Sequence, residues 1–136
     1  MCGIFGFVTS RNEPIGNLSL KRFRQSIDSL CHRGPDDQKD WHDDKCYLGF
    51  RHLAFFKQKS SLQPLHNEDN TIHLVCNGEI FNNQELRSRL LKHHFKSVSD
   101  CEVIIHLYEE YGEEFINQIK GQFAFILWDQ RKGYII

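Results

Sequence analysis

At 136 residues, 40% of them hydrophobic and 12% aromatic, the chain has the length of one domain able to bury a core of its own. A formal charge of −1 gives no basic field for nucleic acid or an anionic membrane, so neither is an expected partner. The N-terminal apolar run is too short and lacks the basic flank of a signal peptide, and no stretch approaches the roughly 20 apolar residues that span a bilayer. A cytoplasmic protein is the resulting expectation.

In chain order, residues 2–9 are rich in β-branched and aromatic side chains and predict a buried strand. Phe23, Ile27, Leu30 and Cys31 fall on one face of a helix that begins near Asn17 or Ser19 and stops at Gly34-Pro35. Residues 38–56 read as strands broken at the Asp43-Asp44 turn. Residues 71–76 read as another strand, ending in an Asn77-Gly78 corner. Asn82 or Asn83 can cap a helix carrying Leu86, Leu90 and Leu91. Ser99-Asp100-Cys101-Glu102 has the spacing of a capping box ahead of Val103, Ile104, Leu107 and Tyr108. Residues 121–128 and 133–136 finish the chain as two strands around Asp129-Gln130-Arg131-Lys132. Strands interleaved with helices suggest sheets covered by helices.

The five cysteines are scattered and form no C-x-x-C pair, which argues against a disulfide framework. The eight histidines lack a paired ligand spacing, so no metal site is expected. Cys2 stands apart. Removal of Met1, which a small second residue permits, would place a thiol and a free α-amino group on one residue. As model compounds these groups titrate near 8.5 and near 8, so the amine can take the thiol proton and later return it to a leaving group. The bland reading is a small residue opening a buried strand.

Three further clusters carry chemistry. His32-Arg33-Gly34-Pro35-Asp36 follows a helix in a turn that lies on the surface or against a ligand. Asn77-Gly78-Glu79 follows a buried strand and offers a side-chain amide beside the Gly78 N–H, a pair of neutral donors able to hold an oxyanion. Glu79 and Asp100 supply carboxylates for an ammonium group. Each has a plainer explanation as a turn, a helix stop or a helix-dipole contact.

Taken in order, Met1-Cys2-Gly3-Ile4-Phe5-Gly6, His32-Arg33-Gly34-Pro35-Asp36, Leu48-Gly49-Phe50 with Leu53, Gln63-Pro64-Leu65, Asn77-Gly78-Glu79-Ile80-Phe81-Asn82, Ser99-Asp100-Cys101-Glu102 and Gly121-Gln122-Phe123-Ala124-Phe125 resemble the class II glutamine amidotransferases. The resemblance is strongest to the N-terminal glutaminase domain of glutamine-hydrolysing asparagine synthetases and covers essentially the whole chain. It implies an α+β fold of the N-terminal nucleophile hydrolase type, a four-layer sandwich with two antiparallel sheets between helix layers, here as one domain over residues 1–136. It also implies hydrolysis of glutamine to glutamate and ammonia. On the family pattern Cys2 is the nucleophile, Asn77 and Gly78 hold the oxyanion, Glu79 and Asp100 bind the substrate α-amino group, and Arg33 lies in the loop beside the nucleophile.

Two departures follow. An arginine normally precedes the leucine that is Leu53 here, but this chain has His52 in that place and Arg51 one position earlier. Either is a candidate for the substrate carboxylate, although neighbouring strand side chains point to opposite faces, so Arg51 requires a bulge or twist. The family's domain also continues past the strand that ends at Ile136 and is followed by an ATP-using synthetase domain. The chain accordingly reads as truncated at its C-terminus. ATP and Mg are expected only in that absent domain, no cofactor is expected in this one, and the ammonia-accepting domain or subunit is the expected partner. The apolar strand at Tyr134-Ile135-Ile136 would leave an edge prone to association, including homo-oligomers. The other class of function to weigh is a catalytically weak glutamine-sensing or interaction module that keeps the fold.

Overall fold

The computed structural model describes residues 2–10, 13–54 and 63–136. In chain order the elements are β1 (Gly3–Val8), α1 (Asn17–Asp28), β2 (Asp37–His42), β3 (Cys46–His52), β4 (Leu65–His66), β5 (Ile72–Ile80), α2 (Asn83–Arg89), α3 (Glu102–Tyr111), a 3₁₀ segment (Gly112–Gln118), β6 (Gly121–Asp129) and β7 (Tyr134–Ile135). They build a three-stranded sheet, β1-β3-β2, and a four-stranded sheet, β4-β5-β6-β7. Every pairing is antiparallel. This is the α+β arrangement of two antiparallel sheets with helices that the resemblance implies. Among the described residues no helix is long and apolar enough to cross a membrane.

The alternation of strand side chains sets the layers. On β3, Cys46, Leu48 and Phe50 point at the second sheet and join Val75 and Trp128 in one buried cluster, with Cys2, Ile4, Val8 and Ile126 at its margin. Tyr47, on the other face, meets Phe23 of α1 with ring centroids 5.2 Å apart, and Phe7 of β1 meets the same ring at 4.5 Å. Gly49 lets Ile27 of α1 sink onto the sheet, because a Cβ there would lie 1.9 Å from its Cδ1. On β5 the odd positions Val75 and Asn77 face the first sheet, while Leu74, Cys76 and Ile80 join the core under α3 with Ile104, Leu107 and Leu127. Helix, sheet, sheet and helix thus stack in four layers. Each fully buried Leu or Ile contributes roughly 1.5–3 kcal/mol relative to exposure.

The two sheets are tied by polar contacts as well as by the core. Trp128 Nε1 of β6 donates to Asp43 Oδ2 at 2.8 Å, and Asp43 Oδ1 accepts the Lys45 and Cys46 N–H groups that close the β2–β3 turn. His73 of β5 stacks on Trp41 of β2 at 3.6 Å between ring centroids, is 2% exposed, and has Nε2 3.0 Å from the Asn70 carbonyl. Burial pulls its pKa down to about 4, against a smaller upward effect of that hydrogen bond. A histidine held neutral in the fold but free to charge when unfolded contributes stability that is complete above pH ~6.5 and is lost as the pH falls through 4. Urea midpoints measured from pH 7.5 to 4 are therefore expected to fall with a component of at most about 3 kcal/mol that His73→Gln removes. An unchanged slope in the variant would assign that loss to other groups.

Several local expectations are corrected. The Asn77-Gly78 pair is no corner: β5 runs through it, with Gly78 opposite Phe123. Helix α1 ends at Asp28 rather than at Gly34, so Cys31 lies beyond it and is exposed. The capping box is not formed. α3 begins at Glu102, whose carboxylate instead accepts the Lys96 and Ser97 N–H groups at 2.7 and 2.8 Å. Asn82 stands at the N-cap of α2 without a side-chain capping bond, bridging to the Gln118 carbonyl and Lys120 N–H instead. The short β4 and the 3₁₀ segment have no periodic signature to reveal them. The strands read over residues 38–56 and broken at Asp43-Asp44 are β2 and β3, as expected, while the last positions of that stretch, Phe55 and Phe56, lie outside the described residues.

Candidate active site

Cys2 immediately precedes β1 and shares the alternation that turns Ile4 and Val8 toward the second sheet. Its backbone nitrogen donates to Asn77 Oδ1 at 2.8 Å across 75 positions of sequence. That contact ties the start of β1 to β5 across the gap between the two sheets. Asn77 faces Cys2 because Val75, two residues earlier on β5, faces the same way into the inter-sheet core. With Oδ1 taken, the amide orientation is fixed, and Nδ2 has no hydrogen-bond partner among the described residues.

Gly78 is required for close approach, not for a turn. A Cβ at this position would stand 2.4 Å from Gln122 O and 2.5 Å from Phe123 Cα, both backbone atoms that cannot move aside. Behind it, Gln63 is buried and acts as a short piece of strand: its Nε2 donates to Cys76 O at 2.9 Å and its Oε1 accepts Cys76 N–H at 2.5 Å. Gln63 therefore fixes the backbone one residue before Asn77. The sequence motif contains this glutamine, but only the fold assigns it a partner.

A cleft of about 750 Å³ opens beside Cys2. Its walls carry Asn77 and Gly78 next to the thiol, His52 from the end of β3, and Glu79, Ser99 and Asp100. Asp100 is held by a hydrogen bond from Ile80 N–H to its Oδ2 at 2.6 Å. Ser99 and Gln122 also reach the cleft, and sequence reasoning gave neither a role.

Arg51 and His52 take opposite faces of β3. The register of β3 with β1 and β2 is unbroken, from Gly3 opposite Arg51 to Val8 opposite Cys46, so no bulge re-aims either side chain. Arg51 turns to the α1 side: Nε donates to Gly34 O at 2.9 Å, Nη1 contacts Gln38 Oε1, and Asp28 lies 4.0 Å away. His52 lines the cleft and Arg51 does not. Arg33 is likewise not a wall of the cleft; its Nε donates to Cys2 O at 3.3 Å and holds the backbone of that residue. The loop that carries it is fastened to the end of β3, with Asp36 N–H on His52 O at 3.1 Å and the Asp36 carboxylate on Ala54 N–H at 2.7 Å.

The glutamine amidotransferase domain family matches this sequence over residues 1–136. The chain belongs to that family. Among curated relatives of this amidotransferase domain, a glutamine-hydrolysing asparagine synthetase of Zea mays is 44% identical over 140 residues, covering 99% of this chain and 23% of the relative. Asparagine synthetase 2 of Arabidopsis thaliana is 46% identical with the same coverages, and asparagine synthetase 2 of Bacillus subtilis is 38% identical over 99% of this chain and 18% of its own. The chain thus spans less than a quarter of the length of these relatives. Among solved structures, glutamine phosphoribosylpyrophosphate amidotransferase from B. subtilis superposes with a TM-score of 0.52 at 22% identity, over 92% of this chain and 29% of that one. That likeness places the amidotransferase domain in the N-terminal nucleophile hydrolase fold.

Proposed function

We propose that this domain hydrolyses the side-chain amide of glutamine to glutamate and ammonia, with Cys2 as nucleophile after removal of Met1. The observation that carries the reading is the 2.8 Å contact between Cys2 N and Asn77 Oδ1 at the mouth of the acidic cleft. Once Met1 is gone, that nitrogen is an α-amine. An N–H donated to Asn77 leaves its lone pair to accept the Cys2 thiol proton.

The thiolate then attacks the amide carbon and forms a C–S bond, while the carbonyl electrons move onto oxygen. Asn77 Nδ2 and Gly78 N–H receive that oxyanion. Collapse expels ammonia, which takes the proton held by the α-amine, and leaves a thioester. Water gives a proton to the same amine, attacks the thioester and releases glutamate with the Cys2 sulfur as leaving group. The Cys2 thiol and α-amine, the Asn77 and Gly78 donors and water suffice for every step.

Substrate orientation follows from charge. Glu79 lies two residues beyond Asn77 on the same face of β5, roughly 6.6 Å along the strand, a spacing suited to the two ends of a glutamine. Glu79 and Asp100 bind the α-ammonium group, His52 takes the α-carboxylate, and Arg33 and Gln63 position Cys2 and Asn77 from behind. The relatives join this unit to much longer chains, and we place the ammonia acceptor, an asparagine-synthetase-like amidation site with its ATP and Mg, in such a partner domain or subunit.

The test is release of glutamate from glutamine by the chain beginning at Cys2, with His52→Arg beside the parent. A histidine offers a carboxylate one charged bond and an arginine two, a difference of roughly 1.5–3 kcal/mol. His52→Arg is expected to lower KM about tenfold to a hundredfold with kcat little changed. If KM rises and Arg51→Ala abolishes binding, the carboxylate belongs to Arg51. Absence of glutamate release at millimolar glutamine overturns the proposed function.

A further inference from the structure

On the far side of the second sheet from Cys2, four side chains of the usual metal-ligating types meet, only two of which, His106 and Glu109, are paired by spacing in the sequence. Glu68 comes from the turn between β4 and β5, His93 from the segment after α2, and His106 and Glu109 from one face of α3. One ligand atom from each lies within 4.8 Å of all the others. His106 Nδ1 stands 3.1 Å from Glu109 Oε2 and 3.8 Å from Glu68 Oε2. His93 Nδ1 stands 3.4 Å from Glu109 Oε2 and 3.7 Å from Glu68 Oε1. A tetrahedral ion with bonds of about 2.0–2.1 Å sets its ligand atoms about 3.3–3.4 Å apart; the four imidazole–carboxylate separations lie around that length, with Glu68 presenting Oε1 to His93 and Oε2 to His106.

Each carboxylate is also held from behind. Glu109 Oε1 accepts from Asn67 Nδ2 at 2.8 Å, and Glu68 Oε1 accepts His94 N–H at 2.7 Å. The outward nitrogen of each imidazole faces a further carboxylate: His93 Nε2 lies 3.1 Å from Glu110 Oε1, and His106 Nε2 lies 3.8 Å from Glu102 Oε1. Carboxylates behind ligating histidines orient the ring and raise its basicity, the usual outer ring of a zinc site. The charge balance points the same way. Four glutamates surround two imidazoles, Arg87 lies 3.8 Å from Glu102, and Lys96 directs its ammonium to the Asn67 and Glu68 carbonyls and to His66 Nδ1.

We propose that Glu68, His93, His106 and Glu109 form a site for one divalent transition-metal ion, with zinc the ion best matched to two imidazole nitrogens and two carboxylate oxygens. With four protein ligands the site is closed and structural. It clamps the β4–β5 turn and the segment after α2 onto α3, the helix whose approach carries Ser99 and Asp100 to the cleft.

The test titrates the chelator-stripped chain with Zn2+ against a chromophoric competitor, and with Co2+ by visible absorption. The expected result is one equivalent bound, a raised melting temperature, and Co2+ bands without thiolate charge transfer. His93→Gln and Glu68→Gln should each weaken binding at least about tenfold, since even an outer partner carries that much. Glu68 is exposed, so the melting temperature of metal-free Glu68→Gln should match the parent and show that folding is intact. Cys2→Ala should leave the affinity unchanged, excluding chelation by the N-terminal thiol and amine. No saturable one-to-one binding, or binding that survives His93→Gln and fails in Cys2→Ala, overturns the proposal and leaves the cluster as an imidazole–carboxylate ion-pair network.

Discussion

Replacing Cys2 by alanine is expected to abolish glutamine hydrolysis, with kcat lowered on the order of 10⁴-fold or more, while the melting temperature stays near that of the parent. Alanine keeps the α-amine and its bond to Asn77 but removes the sulfur that forms the thioester. The structural cost is small because Cys2 sits half-buried at the margin of the inter-sheet cluster rather than within it. Cys2→Ser should also be severely impaired, since a hydroxyl gives up its proton far less readily than a thiol. Turnover by Cys2→Ala at the parental rate would remove the mechanism.

The second large effect is expected at Asn77. Asn77→Ala should lower kcat about 10²- to 10³-fold with KM little changed, the loss typical of one oxyanion donor. Two functions disappear together: the Nδ2 donor to the oxyanion and the Oδ1 acceptor that orients the Cys2 nitrogen. Asn77→Asp separates them, because aspartate keeps an acceptor for the amine but has no donor and sets a negative charge against the oxyanion. It should therefore be at least as damaged as the alanine variant. Steady-state kinetics in which Asn77→Asp keeps parental turnover would show that Asn77 only orients Cys2.

The strands and helices legible in the sequence were those with strong periodicity: β1 from its apolar run, α3 from Val103, Ile104 and Leu107, and β6 from Phe123 and Phe125. The four-layer arrangement came from the ordered motifs, and so did the roles proposed for Cys2, Asn77, Gly78, Glu79 and Asp100, since no single motif distinguishes a site from a turn. Boundaries were less legible for physical reasons. Asn-Gly usually marks a hairpin, yet at Asn77-Gly78 the glycine serves the approach of β6, a contact whose partner lies 45 positions away in the chain. Ser99 and Glu102 have capping-box spacing, but the Glu102 carboxylate is taken by Lys96 and Ser97. The choice between Arg51 and His52 turns on register. Alternation alone put them on opposite faces, and the unbroken pairing of β3 identifies the face each one takes. The cluster of Glu68, His93, His106 and Glu109 had no sequence signal beyond the two residues that share α3, because the other ligands arrive from separate loops.

The most direct measurement of the central claim is covalent capture of the nucleophile. The chain beginning at Cys2 would be incubated with a diazo-ketone analogue of glutamine, with and without excess glutamine, and the modified residue mapped by peptide mass spectrometry. A thiol activated by its own amine, in a cleft that orders the amino-acid end of the ligand, requires a single adduct on Cys2 that glutamine suppresses and that Asn77→Ala slows. An adduct on Cys31, Cys46, Cys76 or Cys101 in its place, or labelling of Cys2 that glutamine does not protect against, would contradict the account.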